Sequence, residues 1–260
     1  MPHLLNVWPN VSKRLAGAGR ILLLLDYDGT LTPIVARPAD AVLADDAREL
    51  LSGLVADERY LVGIVTGRSL ADLATLVDVP GLICAGNHGL EITGPGLDFL
   101  HPEVQASGHA LDEAARLLSV ALAQVPGLTV EHKGLTLTVH FRGTPDSFDA
   151  EVDATVVATV APYVQDGQVK VTRGKKVVEV RPNVDWGKGQ AILKIREAFP
   201  DSPYPVFIGD DQTDEEGFLV VQEAGGLAVY VGPPREQTVA LHRLESTAEV
   251  HQLLALLLEL

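Results

Sequence analysis

Two carboxylates, Asp26 and Asp28, stand at the end of an unbroken apolar run, Ile21-Leu22-Leu23-Leu24-Leu25, and Gly29, Thr30 and Pro33 turn the chain away just behind them. On an extended chain, side chains two apart point the same way. Two like charges at one point are costly unless a cation neutralises them. Mg²⁺ suits such a place, because it takes hard oxygen ligands and keeps waters and phosphates in its shell. An Asp carboxylate can also attack phosphorus and carry the group as an aspartyl-phosphate. An isolated Asp-x-Asp is explained as well by a solvated turn. The buried strand before it and Gly-Thr-Leu-Thr after it shift the balance towards chemistry.

Other reactive types recur in the same kind of place. Asp210, Asp211 and Asp214 fall within five residues after the apolar Pro205–Gly209, a divalent-cation signal that can coexist with an acidic helix start. Lys188 lies just inside a helix N-terminus, where the macrodipole opposes it, so an anionic partner is expected. As a point charge it could stabilise phosphoryl oxygens, though Lys-Gly by itself describes many surface lysines. Thr66 follows Tyr60–Val65 and offers a hydroxyl and backbone N–H groups to a phosphate, or simple capping. Ser69, with Asp72 three residues on, is the capping residue of the next helix. Arg68 between them could reach an anion or form an ion pair.

These groups need elements to place them. The leucine run has no alternation, which suits a strand covered on both faces in a parallel sheet. A helical pattern over 44–55 and a second apolar strand over 60–65 complete a βαβ unit with a right-handed crossover. A third strand over 81–85 leads into Gly86-Asn87-His88-Gly89. A strand over 205–209, another over 228–231 and a closing helix over 250–260 extend the same α/β design. In such sheets ligands bind at the carboxyl ends of the strands, where the reactive residues fall.

From about residue 105 the pattern changes. A helix over 111–125 precedes a hairpin of alternating strands, 128–133 and 135–142, turning at Gly134. A helix over 149–164 and strands over 168–172 and 176–181 follow. This αββαββ block, residues 105–182, is expected to be an inserted domain, with 1–104 and 183–260 forming the core. Glu131 and Lys133 share one strand face, and Lys175 and Glu179 flank the second turn. Such charges often do no more than solvate a sheet, yet mixed donors and acceptors also match sugar hydroxyls.

The net charge of -15 disfavours nucleic acid and anionic membranes as partners, so any anionic substrate must be met by a metal and chosen lysines. One cysteine, Cys84, cannot form an internal disulfide; it reads as a small core residue, in keeping with a cytoplasmic location. No apolar stretch has the form of a signal peptide or membrane span. A monomer is the default expectation.

Asp-Tyr-Asp-Gly-Thr resembles the first motif of the haloacid-dehalogenase-like (HAD) phosphohydrolases. Thr66, Lys188 and Gly-Asp-Asp-x-Thr-Asp-Glu are similar to the motifs that follow. Gly-Asn-His-Gly-x-Glu, Glu-x-Lys, His-x-Arg and Gly-Lys-x-x-x-Glu-x-Arg-Pro resemble the trehalose-6-phosphate phosphatase family within that superfamily. The resemblance implies a HAD-like Rossmannoid core with an α+β cap, and Mg²⁺-dependent hydrolysis of trehalose 6-phosphate. It implies Asp26 as nucleophile, Asp28 as general acid/base, and Thr66 and Lys188 at the phosphate. Asp26, the Asp28 carbonyl and Asp210 would hold the metal, with Asp211 and Asp214 at or beside it. Arg68, Asn87, His88, Glu131, Lys133, Arg142, Lys175 and Glu179 would contact the substrate. Two rivals share the motifs: a phosphatase for another sugar phosphate, such as sucrose phosphate or glucosyl-3-phosphoglycerate, and a non-catalytic phospho-acceptor of the receiver type.

Overall fold

The structure, a computed structural model, describes residues 1–35, 37–174 and 176–260. In chain order the elements begin with α1 (Trp8–Ala16), β1 (Ile21–Leu25), α2 (Asp45–Ala56), β2 (Tyr60–Val65), α3 (Leu70–Leu76), β3 (Ile83–Gly86), β4 (Glu91–Gly94) and β5 (Leu97–Leu100). Then come α4 (Gly108–Ala121), β6 (Thr129–His132), β7 (Leu137–His140), α5 (Asp149–Gln165), β8 (Val169–Gly174) and β9 (Val177–Pro182). The chain closes with α6 (Lys188–Glu197), β10 (Tyr204–Gly209), α7 (Glu215–Glu223), β11 (Leu227–Val231), β12 (His242–Leu244) and α8 (Thr247–Leu258). It divides into two compact units, Met1–Phe99 with Trp186–Leu260, and Leu100–Asp185.

The first unit is built on a sheet in the order β12-β11-β10-β1-β2-β3-β4-β5. From β12 to β3 the pairs are parallel, and β4 joins β3 antiparallel. β1 lies between β10 and β2, and its five residues are all buried. They serve two cores in alternation. Ile21, Leu23 and Leu25 pack with Ala47, Leu51 and Leu54 of α2 and with Val250 and Leu254 of α8. Leu22 and Leu24 pack with Ile192 and Ile195 of α6 and with Phe218 and Val221 of α7. Each such side chain contributes about 1.5–3 kcal/mol by leaving water, which is why the run tolerates no polar residue until the sheet ends.

Three short strands depart from the sequence expectation. β4 and β5 carry the sheet past β3, and β12 extends its far side. All three are three or four residues long, and His242-Arg243-Leu244 has no apolar alternation to betray it. α6 begins at Lys188 with Gly187 at its N-cap, so the lysine lies just inside the helix start as expected.

The second unit has an antiparallel sheet in the order β6-β7-β9-β8. α4 and α5 supply Leu111, Leu118, Val152, Val156 and Val160 to a core with Leu137, Val139, Val178 and Val180. The alternate residues form the other face, where the register aligns Glu131, Thr138, Glu179 and Thr172 across all four strands.

Candidate active site

The first unit's reactive residues converge because neighbouring parallel strands end together. Asp26 follows β1 and continues its ladder, donating its backbone N–H to Ile208 of β10 at 2.9 Å. Asp210 follows β10, and Lys188 opens α6. Lys188 Nζ stands 2.8 Å from Asp26 Oδ1 and 2.7 Å from Asp214 Oδ1, with all three side chains buried. Asp214 Oδ2 accepts the backbone N–H groups of Asp210 and Asp211, each at 3.0 Å. One carboxylate therefore holds both the lysine and the turn after β10.

Burial works against the Lys188 charge, but Asp214 and Asp26 outweigh it and keep the ammonium protonated far above the ordinary lysine range. Burial also pushes the Asp26 carboxyl well up, against the pull of Lys188 and with the push of Asp214 and Asp210. Burial, then Asp214 and Asp211, raise Asp210 to about 7. Carboxyls so crowded are short of positive charge.

Asp26, Asp210 and Asp214 can each bring one oxygen within 4.8 Å of the others. Asp210 Oδ1 is buried and has no hydrogen-bond partner among the described residues. Gly29, at φ +91°, lets the backbone pass so close that a Cβ there would lie 2.2 Å from Asp210 Oδ2. An orphaned carboxylate oxygen, a raised carboxyl and an all-oxygen donor set fit a hard divalent cation such as Mg²⁺. Asp214 is less suited as a ligand, since both of its oxygens are already engaged.

The remaining first-unit residues divide. Thr66 is buried at the end of β2, its hydroxyl accepting the Arg68 N–H at 3.3 Å. Ser69 and Asp72 form the expected capping box on α3. The Arg68 guanidinium is bidentate on Asp28, 2.6 Å to each oxygen, rather than directed at open space. Asp28's carboxylate is thus on Arg68, outside the Asp26–Asp210–Asp214 group. Asp211 is outside it too: its Oδ1 accepts the Thr213 N–H at 2.6 Å and hydroxyl at 2.7 Å.

Asn87, expected among the substrate contacts, has its side chain turned into the protein. It is fully buried at φ +49°, and Nδ2 donates to Glu91 Oε1 at 2.8 Å. The same oxygen accepts the Leu70 N–H at the start of α3, at 2.9 Å. The left-handed backbone turns the amide inward, so Asn87 and Glu91 tie the turn to the helix. His88 is also left-handed, at φ +58°, and a Cβ on Gly67 would lie 2.8 Å from its Nε2. Thr30, not singled out in the sequence, has a buried hydroxyl with no partner among the described residues; its place behind Asp-x-Asp-Gly was the available signal. Cys84 sits on β3 with its thiol pushed up to about 11 by burial, as an inert core group would be.

In the second unit Glu131 Oε2 lies 2.7 Å from His140 Nε2. Glu179 has Lys133 at 3.9 Å and Arg181 at 3.8 Å. Arg142 is exposed in the turn after β7. Lys175 lies outside the described residues. Its neighbour Lys176 is committed within the unit, to Asp146 at 2.6 Å and Asp149 at 2.7 Å. Among the described residues, no helix is long and apolar enough to cross a membrane.

Comparison with known proteins identifies the family. Residues 24–245 match the trehalose-phosphatase family model. A trehalose-phosphate phosphatase of Mycobacterium tuberculosis is 38% identical over 88% of this chain and 59% of its own length. Trehalose-phosphate phosphatase B of Arabidopsis thaliana is 31% identical over 99% of this chain and 71% of its own. The structure of the C. albicans trehalose-6-phosphate phosphatase C-terminal domain superposes with a TM-score of 0.85 at 25% identity, covering 100% of this chain and 98% of that one. The chain spans 19% of the length of two M. tuberculosis relatives, named uncharacterised glycosyl hydrolases, that are 38% identical to it. With its parallel-rich α/β sheet and its match over most of its length, this chain belongs to the trehalose-phosphatase family, within the HAD-like fold.

Proposed function

We propose that this chain is a Mg²⁺-dependent phosphatase that hydrolyses trehalose 6-phosphate to trehalose and phosphate, in trehalose biosynthesis and in the cytoplasm. The observation that carries this reading is the Asp26–Lys188–Asp214 arrangement at the strand ends, which puts a buried nucleophile against a fixed positive charge.

Asp26 attacks phosphorus in line, and the aspartyl-phosphate forms as the bond to the sugar oxygen breaks. Asp28 gives that oxygen its proton, then takes one from the water that hydrolyses the aspartyl-phosphate. Lys188 offsets the charge on the phosphoryl oxygens, and Asp214 keeps it aimed. Thr66 offers its hydroxyl to the same oxygens. Asp26 and Asp210, with the Asp28 carbonyl, would hold Mg²⁺, which when bound adds further charge stabilisation.

We also assign residues 105–182 to substrate selection, with Glu131, Lys133 and Glu179 of the polar sheet face reading sugar hydroxyls. The relatives named as trehalose-phosphate phosphatases support that substrate.

Phosphate release from trehalose 6-phosphate, sucrose 6-phosphate, glucose 6-phosphate and glucosyl-3-phosphoglycerate tests the reading, with Mg²⁺, with EDTA and with D26N. Preference for trehalose 6-phosphate, lost in both controls, is expected. Equal turnover of all four would overturn the sugar assignment, and release from none would favour a phospho-acceptor.

A further inference from the structure

Arg68 is held from several sides, and its partner is not. Nε donates to Asp28 Oδ2 and Nη2 to Asp28 Oδ1, both at 2.6 Å. Nη2 also donates to the Pro38 carbonyl at 2.9 Å. The guanidinium lies 5.2 Å from the centre of the Tyr27 ring, and the Tyr27 hydroxyl is fixed on the Ala41 carbonyl at 2.7 Å. At its backbone the Arg68 carbonyl accepts the Asn87 N–H at 2.6 Å. The Arg68 side chain is 9% exposed, against 38% for Asp28. A rigid, sheltered fork therefore grips an accessible carboxylate.

We propose that Arg68 is a positioning residue for Asp28, fixing the plane and direction of the carboxyl that moves the proton. This rests on the reading of Asp28 as the general acid/base. Asp28 lies in a turn, where its own torsions would let the carboxyl swing, and proton transfer requires hydrogen-bond reach of the leaving oxygen. A planar fork on both oxygens removes that freedom, which the single point charge of a lysine cannot do. In the first step the Asp26–phosphorus bond forms, the bond from phosphorus to the sugar oxygen breaks, and the proton passes from Asp28 to that oxygen. Asp28 is left as the carboxylate that the fork matches. Water then adds to the phosphoryl group, Asp28 takes its proton, phosphate leaves and the Asp26 carboxylate is restored. A direct role for Arg68 on the substrate phosphate would require it to give up two charge-assisted bonds first.

The test is a series of ring-substituted phenyl phosphates of graded leaving-group pKa, with kcat/KM measured for wild type, R68A, R68K and D28N. A good leaving group needs no proton, so loss of acid delivery steepens the dependence of log kcat/KM on leaving-group pKa. That slope does not depend on the fraction of a variant that is folded. R68A and R68K are both expected to steepen it in the direction of D28N, with kcat/KM lower by about 10- to 100-fold for phenyl phosphate and nearly unchanged for 4-nitrophenyl phosphate. A uniform fall across the series would overturn the proposal in favour of a phosphate contact. A fall for trehalose 6-phosphate alone would overturn it in favour of a sugar contact. A wild-type slope in R68K would show that charge without the fork suffices. A wild-type slope in D28N would instead remove the acid/base reading on which the proposal stands.

Discussion

Lys188 Nζ and Asp214 Oδ1 lie 2.7 Å apart in the interior, joined across 26 positions of sequence, with side chains only 3% and 0% exposed. A charge that deep persists only with partners, and Asp26 is the second. The pair thus sets the charge beside Asp26, the proposed nucleophile.

Removing the ammonium has two effects. K188M is expected to lower kcat by about 10²–10³-fold, the loss seen when one charge-stabilising donor is deleted. It also leaves the buried Asp26 and Asp214 carboxyls without their cation, and denaturant unfolding near neutral pH should show about 3–5 kcal/mol lost. Wild-type kcat in K188M would exclude Lys188 from the reaction.

Asp214 acts through what it holds. D214N keeps the side-chain volume but weakens the grip on Lys188, so kcat should fall by about 10- to 100-fold. The Mg²⁺ concentration for half-maximal activity should change much less, because both Asp214 oxygens are spent on protein donors. A large rise in that concentration with unchanged kcat would make Asp214 a ligand instead.

The raised carboxyls give the metal-free protein a distinctive pH response. Folded Asp210, at about 7, keeps a proton that the unfolded chain releases near 3.8. Its contribution to stability is therefore complete below 3.8 and is lost as the pH climbs through about 7. A Mg²⁺ ion held by Asp210, as proposed, would compete with that proton, so the rise in Tm on adding Mg²⁺ should be larger at about pH 8 than at about pH 5.5. Thermal melts with and without the ion decide it, and equal shifts at both pH values would count against Asp210 as a ligand.

Gly29 is the sharpest steric test. A methyl group there meets the Asp210 carboxylate at 2.2 Å and sits on backbone at φ +91°. G29A is expected to raise the Mg²⁺ requirement about tenfold or more while circular dichroism shows a folded chain. A wild-type Mg²⁺ titration would falsify the proximity of this turn to the proposed metal site.

Much of the first unit was legible because its strands are buried on both faces. Such strands read as apolar runs, and Asp26, Thr66 and Asp210 mark where each run stops. What was hidden depended on partners far away in sequence. Arg68 and Asp28 are 40 positions apart, and nothing local to either says that one holds the other. Asn87 was expected at the substrate only through the resemblance of Gly-Asn-His-Gly-x-Glu, which says nothing of which way the amide turns. Its left-handed backbone, which composition does not reveal, turns it inside. β12 was invisible because three residues, His242-Arg243-Leu244, are too few to carry a period.

The stack of Phe99 on Trp186, with ring centroids 5.4 Å apart, closes the gap between the residues where the chain leaves and re-enters the first unit. Trp186 is anchored further by its indole N–H, which donates to the Gly89 carbonyl at 2.8 Å. Entry and exit so near each other make the intervening segment a module that can be excised, replaced by a short linker, or exchanged for another, without re-routing the sheet. Gene-level recombination at this seam could therefore exchange the second unit while leaving the strand ends of the first untouched.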